Sequence, residues 1–478
     1  GVELCSIIQN GKYEFKPETV KLAVKLVKEL MAKYNIDSGK IYDFPDNISI
    51  VNHNEKILII APEEANWIVL DSTQQQYVFN LFHSGLSIEE ILKIPSIDSS
   101  DVKFVVTQIE ARKFYKQGPN IQRVDKTMHL YLTNRCNLSC PHCYMFSGKA
   151  ERNELETQEI KKLISDFTKI SNGTSITFSG GEPTIRTDFE EIVRTAYEMG
   201  LEVKILTNGT QLSSERITAL SKYISSVQIS IDGFSEESNA LIRGKGSFSK
   251  ALAAVDAFIS NGVYTSIAIT PSLDSLRKYM DKYIEFAQVL IQKYENDAFE
   301  LRFSEELLNG RCISNAENIN SEYRELMSNI QKELYGSDYK LWEFVKTLTD
   351  NPKITNCSFG SISINSTGDV FLCPRISDLK SIGNIRTKKF KDINDEAITA
   401  ESLTSITNLI PCNTCELRYI CGGGCRIEEY PGLTYRETFV GINPKEYPRL
   451  ECNKNLKKKF YDLMIESNEY FYRDLNEE

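Results

Sequence analysis

The chain has 478 residues and a formal net charge of −10, with 41% hydrophobic and 26% charged residues, the composition of an ordinary globular protein. The acidic balance argues against a nucleic-acid partner, because phosphate binding requires clustered positive charge, and no apolar run reaches the roughly 20 residues of a membrane span. The first ten residues lack the basic-then-apolar pattern of a signal peptide, so we expect a cytoplasmic protein without a membrane partner.

Residues 1–117 predict a small first module. Residues 17–34 carry apolar residues at helical spacing. Three short apolar runs separated by turn residues then predict three strands, followed by helices that begin at capping residues. The predicted strands are Ile48–Val51, Lys56–Ala61 and Trp67–Leu70. Three strands followed by three helices form a winged-helix-like module.

Residues 118–310 change to a regular alternation of strands and helices. The predicted strands are Met128–Leu132, Ser175–Phe178, Val203–Thr207, Val227–Ile231, Thr265–Ile269 and Phe299–Phe303. This alternation predicts an α/β fold with a parallel sheet, and because six strands are too few for a full eight-stranded barrel, we expect a partial (β/α)6 barrel. Residues 311–346 form a helical bridging region, and residues 347–478 form a cysteine-rich extension.

The twelve cysteines are unevenly placed, with three between Cys136 and Cys143 and four between Cys412 and Cys425. Clustered thiols in a reducing compartment indicate metal binding or catalysis and not disulfides. The first group has the spacing C-x3-C-x2-C in the sequence CNLSCPHCY, just after the first barrel strand. Three thiolates can hold three irons of a four-iron cluster and leave the fourth iron open. A zinc site completed by His142 is the alternative.

Three further motifs stand where predicted strands end: Ser-Gly-Gly-Glu-Pro at 179–183, Thr-Asn-Gly at 207–209 and Ser-Ile-Asp-Gly at 230–233. Parallel βα folds bind their ligands at the carboxyl ends of the strands, so these motifs are expected to face one site. Gly180 and Gly181 would let backbone amides approach a small polar ligand, and Glu182 could receive an ammonium group.

Over residues 125–310 the sequence resembles the radical S-adenosylmethionine (SAM) superfamily, through CNLSCPHCY and GGEP. The resemblance implies that Cys136, Cys140 and Cys143 hold a [4Fe–4S] cluster, whose open iron binds the methionine part of SAM. The residues implied to contact SAM are Gly180, Gly181, Glu182, His142, Tyr144, Asn208, Ser230 and Arg243. Turn capping for Asn208 and Ser230, and a solvated charge for Arg243, remain alternatives. A reductant such as flavodoxin or ferredoxin is expected as a partner.

The cysteine-rich end resembles the SPASM type of extension, which carries two auxiliary [4Fe–4S] clusters, so that three clusters are expected in all. The resemblance implies one auxiliary cluster on Cys357, Cys373 and Cys425, and another on Cys412, Cys415, Cys421 and Cys452. Cys312 is the candidate for a fourth ligand of the first of these; otherwise that cluster has an open iron. Two zinc ribbons are the alternative, and Cys5 is left without a role.

The first module resembles, over residues 46–116, the peptide-recognition element of enzymes that mature ribosomally made peptides. In that family a leader peptide joins the small sheet as an extra strand, and Trp67 is expected to contact it. A DNA-binding winged helix or a purely structural module is the alternative, but residues 1–117 contain 13 basic and 16 acidic residues, which disfavours DNA.

Together these resemblances imply a radical SAM peptide maturase that acts on a precursor peptide with a leader sequence. The expected product is a thioether between a cysteine sulfur and Cα (sactipeptide type) or Cβ or Cγ (ranthipeptide type). Carbon–carbon crosslinking is the main rival. A sulfatase-maturing enzyme is less favoured, because Pro374 follows Cys373 where that relative has an aspartate. A zinc-binding regulator is the non-enzymatic alternative.

Overall fold

The computed structural model describes residues 6–9, 12–15, 37–116, 126–295, 298–350, 357, 359–429, 432, 436–439, 452 and 454–468. The helix predicted at 17–34 and Cys5 lie outside these residues. The strands are β1 (Ser6–Gln9), β2 (Lys12–Phe15), β3 (Ser49–His53), β4 (Lys56–Ala61), β5 (Asn66–Leu70), β6 (Thr127–Thr133), β7 (Ser175–Gly180), β8 (Glu202–Thr207), β9 (Ser226–Ser230), β10 (Tyr264–Ile269), β11 (Phe299–Phe303), β12 (Ile362–Ile364) and β13 (Val370–Phe371).

The helices alternate with the barrel strands and flank them in sequence. They are α1 (Thr73–His83), α2 (Ile88–Leu92), α3 (Ser99–Ala111), α4 (Thr157–Ser171), α5 (Phe189–Glu198), α6 (Ser214–Leu220), α7 (Glu236–Arg243), α8 (Ser247–Ser260), α9 (Leu273–Lys293), α10 (Asn320–Tyr335), α11 (Tyr339–Asp350), α12 (Phe390–Leu403), α13 (Arg418–Cys421), α14 (Arg426–Glu429) and α15 (Lys454–Glu466). Among the described helices, none combines the length and the hydrophobicity needed to cross a bilayer.

The large sheet has the strand order β11-β10-β9-β8-β7-β6-β12-β13. The six predicted strands are present, stand side by side in chain order from β6 to β11, and are all parallel. Strand β12 adds to β6 in parallel, and β13 pairs with β12 antiparallel. The predicted fold class is confirmed, and the extension contributes two strands of its own to the barrel sheet.

Amphipathic helices cover the outer face of this sheet. Helix α4 buries Ile160, Leu163, Ile164 and Phe167, which recur at helical spacing on one face. The strands supply the other half of the same core through side chains such as Met128, Leu130 and Phe178. The alternate residues of the strands point to the inside of the barrel, where the carboxyl ends of the strands carry the motifs.

Residues 49–111 of the first module have the predicted order of three strands and three helices, whereas the antiparallel pair of β1 and β2 was not predicted. Its antiparallel sheet runs β3-β4-β5, and helices α1 to α3 cover one face through Ile57, Ile59 and Ile68. The other face is also buried: Leu58 and Ile60 of β4 pack with Leu417 and Ile420 of the cysteine-rich extension. Strand β4 is therefore apolar and buried from Ile57 to Ala61, because both faces of the sheet are covered.

Candidate functional site

The first cysteine group lies in a folded loop directly after β6. The Cys136 amide donates to the Gly148 carbonyl at 3.0 Å, and the Cys143 amide donates to the Cys140 carbonyl at 3.2 Å. The three thiols are free and only partly buried. Burial raises the pKa of the Cys136 and Cys140 thiols, and Cys143 lies close to both of them. The loop thus gathers three thiols at the carboxyl end of the first barrel strand.

The paired glycines join this loop to the end of β7. The Gly181 amide donates to Thr133 O at 2.8 Å, and the Glu182 amide donates to Arg135 O at 2.9 Å. A Cβ atom at Gly180 would lie 2.4 Å from Thr133 O, and one at Gly181 would lie 2.3 Å from Arg135 O. Glycine is therefore required at both positions, because the two backbone segments meet there. The amides of Gly181 and Glu182 donate to backbone carbonyls of the protein and not to a ligand.

We expect Gly181→Ala to displace the cysteine loop and to reduce cleavage of SAM by about tenfold or more, because small misplacements of reacting groups are costly. The measurement is 5′-deoxyadenosine formation together with iron content. Gly148→Ala is the matched control, because Gly148 lies in the same loop and a Cβ atom there meets nothing within 4 Å. Equal losses in both variants would contradict this explanation.

Glu182 lies at the centre of the motifs and is fully buried. Its carboxylate accepts from the Thr184 amide, the Thr184 hydroxyl and the Thr207 hydroxyl at 3.1, 2.6 and 2.7 Å, and from the Asn208 amide at 2.7 Å. Burial raises the pKa of this carboxyl, and the donated hydrogen bonds act in the opposite direction. Hydrogen bonds to Glu182 thus connect the end of β7 to the end of β8, a role that the sequence did not indicate.

Asn208 continues this connection to the cysteine loop. Its side-chain amide donates to Asn137 Oδ1 at 3.0 Å, and Asn137 in turn donates to the Thr210 hydroxyl at 2.8 Å. Asn208 Oδ1 also accepts from the Thr210 amide at 2.9 Å, which is the turn-capping role considered as an alternative. Asn137 lies between two predicted cluster ligands and was not singled out by the sequence analysis.

The Ser-Ile-Asp-Gly motif at residues 230–233 contributes its aspartate to a buried ion pair. Asp232, just beyond Ser230 at the end of β9, accepts from Arg243 Nε at 2.5 Å and from the Thr270 amide at 3.0 Å. His142 Nε2 lies 3.4 Å from the same carboxylate. Burial lowers the pKa of the His142 imidazole, and Asp232 raises it. Arg243 is thus a paired, buried group and not a solvated one, and Asp232 is a site residue that the sequence analysis did not assign.

We expect Asp232→Asn to lower the free energy of unfolding by about 2 kcal/mol, less than the 3–5 kcal/mol for complete removal of one partner of a buried pair, because asparagine keeps hydrogen-bonding capacity. Arg243 would then carry an uncompensated charge in a buried position. Denaturant unfolding of the reconstituted enzyme measures this change. Asp274→Asn is the control, since Asp274 is 93% exposed and should change stability very little; similar losses in both variants would contradict the buried-pair argument.

Tyr144 connects the cysteine loop to the extension. It lies beside Tyr131 of β6, and the Tyr131 hydroxyl donates to Pro374 O at 2.5 Å. Pro374 follows Cys373, so two tyrosines link the loop of the first cysteine group to a predicted ligand of an auxiliary cluster. Burial raises the pKa of both tyrosines.

The extension brings the predicted auxiliary ligands together in two groups. In the first group, Cys357 and Cys425 lie close to Cys373. In the second group, the Cys415 amide donates to Cys412 O at 3.0 Å, and Tyr461 of α15 lies near both Cys415 and Cys452. Cys415 and Cys421 both border the apolar cluster that joins the extension to the first module.

Cys312 lies beside the first cysteine group. Its amide donates to Pro141 O at 2.7 Å, and its side chain is exposed. The preceding Arg311 donates to Cys140 O at 3.1 Å, so this segment supports the cysteine loop.

Trp67 is not placed where the sequence analysis expected it. It is fully buried, its indole Nε1 donates to Met464 O at 3.0 Å, and its ring lies 5.7 Å from that of Phe344. The Arg112 guanidinium covers it at 4.2 Å from the ring centroid. The expectation that Trp67 contacts a leader peptide is therefore wrong for this arrangement, because the side chain fills the contact between the module and the extension.

The donor set fits iron–sulfur clusters. All eleven described cysteines are free thiols, and they form separate groups next to loops rich in backbone amides. Among the described residues, no set of three or more histidine, cysteine, aspartate or glutamate side chains converges closely enough for a single metal ion. A four-iron cluster takes its thiolates on different irons, so its ligands stand farther apart than those of one ion.

Comparisons with known proteins agree with this geometry. The model of the radical SAM superfamily matches residues 130–287, and that of an iron–sulfur cluster-binding domain, SPASM, matches residues 356–416. Mycofactocin maturase MftC of Mycolicibacterium smegmatis is 30% identical over 334 residues, covering 67% of this chain and 81% of that protein. The AdoMet-dependent heme synthase of Methanosarcina barkeri is 28% identical over 325 residues, covering 63% and 90%. The solved structure of native anSMEcpe with bound AdoMet has a TM-score of 0.52 at 19% identity, covering 72% of this chain and 99% of that one.

The chain therefore belongs to the radical SAM superfamily. More narrowly, it is a radical SAM enzyme with a C-terminal iron–sulfur cluster-binding domain, and its cofactors are [4Fe–4S] clusters and SAM. Of the two relatives described above, one is named a maturase and the other a heme synthase. Membership of the superfamily thus establishes the cofactors and leaves the substrate to be argued from this chain's own residues.

Proposed function

We propose that this enzyme forms thioether crosslinks in a ribosomally made precursor peptide, between a cysteine sulfur and a backbone or side-chain carbon. The observation that carries the proposal is the combination, in one chain, of a small three-stranded sheet with an auxiliary cysteine group in which Cys357 and Cys425 lie close to Cys373. A relative is named a maturase, and anSMEcpe has been solved with a bound peptide, which supports a peptide as the substrate.

In this proposal the barrel mouth holds SAM. When bound, the cofactors supply a 5′-deoxyadenosyl radical, which can remove a hydrogen atom from an unactivated carbon. Cys136, Cys140 and Cys143 would hold the cluster, and Gly180 and Gly181 would shape the cradle beside it.

Side chains on the neighbouring loops would orient the cofactor. Arg243, held through Nε by Asp232, would present its remaining guanidinium nitrogens to the methionine carboxylate. His142 and Tyr144 would border the adenine, with Asn208 and Ser230 as the polar neighbours. Glu182 would act by fixing these loops, because its own oxygens are engaged within the chain.

The auxiliary group on Cys357, Cys373 and Cys425 would accept the peptide's cysteine. Cys312 is packed on the loop of the first cysteine group through Pro141, so we assign it no auxiliary cluster, and an iron without a protein ligand can bind a substrate thiolate. The group on Cys412, Cys415, Cys421 and Cys452 would hold the second auxiliary cluster.

The test is mass spectrometry of a cysteine-rich precursor encoded beside this gene, before and after incubation with the reconstituted enzyme, SAM and a reductant. Each crosslink would transfer one hydrogen atom of the peptide to the 5′-deoxyadenosyl radical, one electron to the auxiliary cluster and the thiol proton to solvent, so a loss of about two mass units per crosslink is expected. Iodoacetamide should then fail to label the crosslinked cysteine.

The carbon–carbon alternative gives the same mass loss but leaves the thiol open to iodoacetamide, and fragment masses then place the link between two side chains. A mass loss with full cysteine labelling would overturn the thioether proposal. An unchanged peptide, with deoxyadenosine still formed, would reject this peptide as the substrate. Reactions without SAM are the control.

A further inference from the structure

A cavity of about 340 Å³ lies beside the first auxiliary cysteine group. Its wall includes Thr127 and His129 of β6 and Thr177 of β7, together with Cys357 and Pro374 of the extension. Helix α12 lines another side of the cavity. The cavity therefore lies where the barrel sheet and the cysteine-rich extension meet.

The cavity continues the inner wall of the barrel. Met128 and Leu130 of β6 pack in the hydrophobic core, so the residues that alternate with them, His129 and Tyr131, face the barrel interior. His129 precedes Thr133, the last residue of β6, by four positions, which correspond to about 13 Å along a strand. The cavity thus lies on the same wall as the cysteine loop that follows β6, nearer the start of the strand.

The cavity adjoins the space for the auxiliary cluster and does not coincide with it. Cys357 lies in the wall, whereas Cys373 and Cys425 are not among the described residues that line the cavity. A cluster bound by all three thiolates must lie within reach of each of them. The cavity therefore remains available to a ligand that approaches the cluster from the side of Cys357.

The wall contains two buried polar atoms without partners. Within the residues that the structure describes, His129 Nε2 and Ser361 Oγ make no hydrogen bond, and both residues line the cavity. Unpaired buried polar atoms are uncommon and indicate a missing water, ion or ligand. Phe167, Phe359 and Ile362 make other parts of the wall apolar, and an apolar cavity with a few polar groups is typical of a binding site.

We propose that this cavity binds the cysteine-bearing segment of the precursor peptide, with His129 and Ser361 as hydrogen-bonding partners of that segment. The inference rests on the proposed function and adds the place where this part of the peptide binds. From the cavity, a peptide thiol would reach the auxiliary cluster next to Cys357. The adjoining residues of the peptide would run along the inner wall of the barrel, past Tyr131, towards SAM.

Electron paramagnetic resonance of the reduced, reconstituted enzyme, titrated with the precursor used above, tests this site. We expect the precursor to change the signal of an auxiliary cluster, and a precursor with serine in place of cysteine to leave it unchanged. His129→Phe keeps a ring against Tyr131, on which His129 stacks at 4.6 Å, and removes both ring nitrogens. The half-saturating precursor concentration should rise by about fivefold in this variant, the effect of one hydrogen bond. An unchanged concentration would overturn the inference.

Ser361→Ala and Ser363→Ala form a matched pair of variants. Both hydroxyls are buried and unpaired within the part of the chain that the structure describes, but Ser363 is not among the described residues that line the cavity. Replacing either hydroxyl removes an unsatisfied group, so neither variant should lose stability. The half-saturating concentration should rise by about fivefold in Ser361→Ala and stay unchanged in Ser363→Ala. Equal changes in the two variants would indicate a general effect on β12 and overturn the inference.

The cavity assignment and the proposed function fail separately. If the wild-type enzyme modifies the precursor and its signal responds to the peptide thiol, but the His129 and Ser361 variants bind as tightly, only the cavity assignment is wrong. If the precursor neither changes in mass nor alters the signal, the proposed function itself is wrong. Peptide-independent deoxyadenosine formation by each variant shows that its barrel remains folded.

Discussion

Cys140→Ala should abolish the formation of 5′-deoxyadenosine from SAM. Alanine cannot ligate iron, and even changes outside the first ligand shell cost 10–100-fold in metal affinity or activity, so we expect a loss of at least about a hundredfold. The two cysteine groups of the extension lie outside this loop and should keep their clusters. Iron per chain is therefore expected to fall by roughly four of about twelve.

The matched control is Cys5→Ala, which removes a cysteine that lies outside all three cysteine groups. It should retain both deoxyadenosine formation and the full iron content. Deoxyadenosine formation that persists in Cys140→Ala would contradict the assignment of the first cysteine group, whatever happens to the auxiliary clusters.

Trp67→Ala should cost about 3–5 kcal/mol in the free energy of unfolding, the range for removing a buried aromatic side chain. Trp67 lies between Phe344, Arg112 and the Met464 carbonyl, so its loss would open a cavity where the module meets the extension. Trp67→Phe should keep most of the packing and lose about 1 kcal/mol for the indole hydrogen bond. Circular dichroism during denaturant unfolding measures both.

Tyr77→Ala is the control for this comparison, because Tyr77 lies in the same module but is 47% exposed. Its substitution should stay within about 0.5 kcal/mol, as is usual for surface positions. If Trp67→Ala were equally mild, the contact between module and extension would be weaker than its burial indicates.

The local sequence pattern was sufficient to predict the strands and the motifs at their ends. The alternation of strand-like and helical segments located the barrel strands, and the glycines of GGEP marked a place where backbone must approach closely. What they approach is not visible in the sequence: a Cβ atom at Gly181 would strike Arg135 O, a group on another loop. The bonds of Glu182 with Thr207 and Asn208 depend in the same way on the folded sheet.

Trp67 shows why the remaining contacts could not be predicted. Its hydrogen-bond partner is Met464, 397 residues away along the chain, and an apolar strand looks the same whether its second face meets a peptide or a helix. Asp232 was visible in the SIDG motif and Arg243 was predicted to contact SAM, but the pairing of these two residues depends on the folded chain.

The contact of the small sheet with Leu417 and Ile420 has a consequence for handling the protein. Those residues lie in the segment that contains Cys412, Cys415 and Cys421. By thermodynamic linkage, a ligand that binds and orders this segment also stabilises the surface against which the sheet packs. In air-exposed preparations that have lost inorganic sulfide, the contact between the sheet and the extension would then be less ordered. Under the proposed function, peptide affinities measured on such material would be lower than those of the intact enzyme.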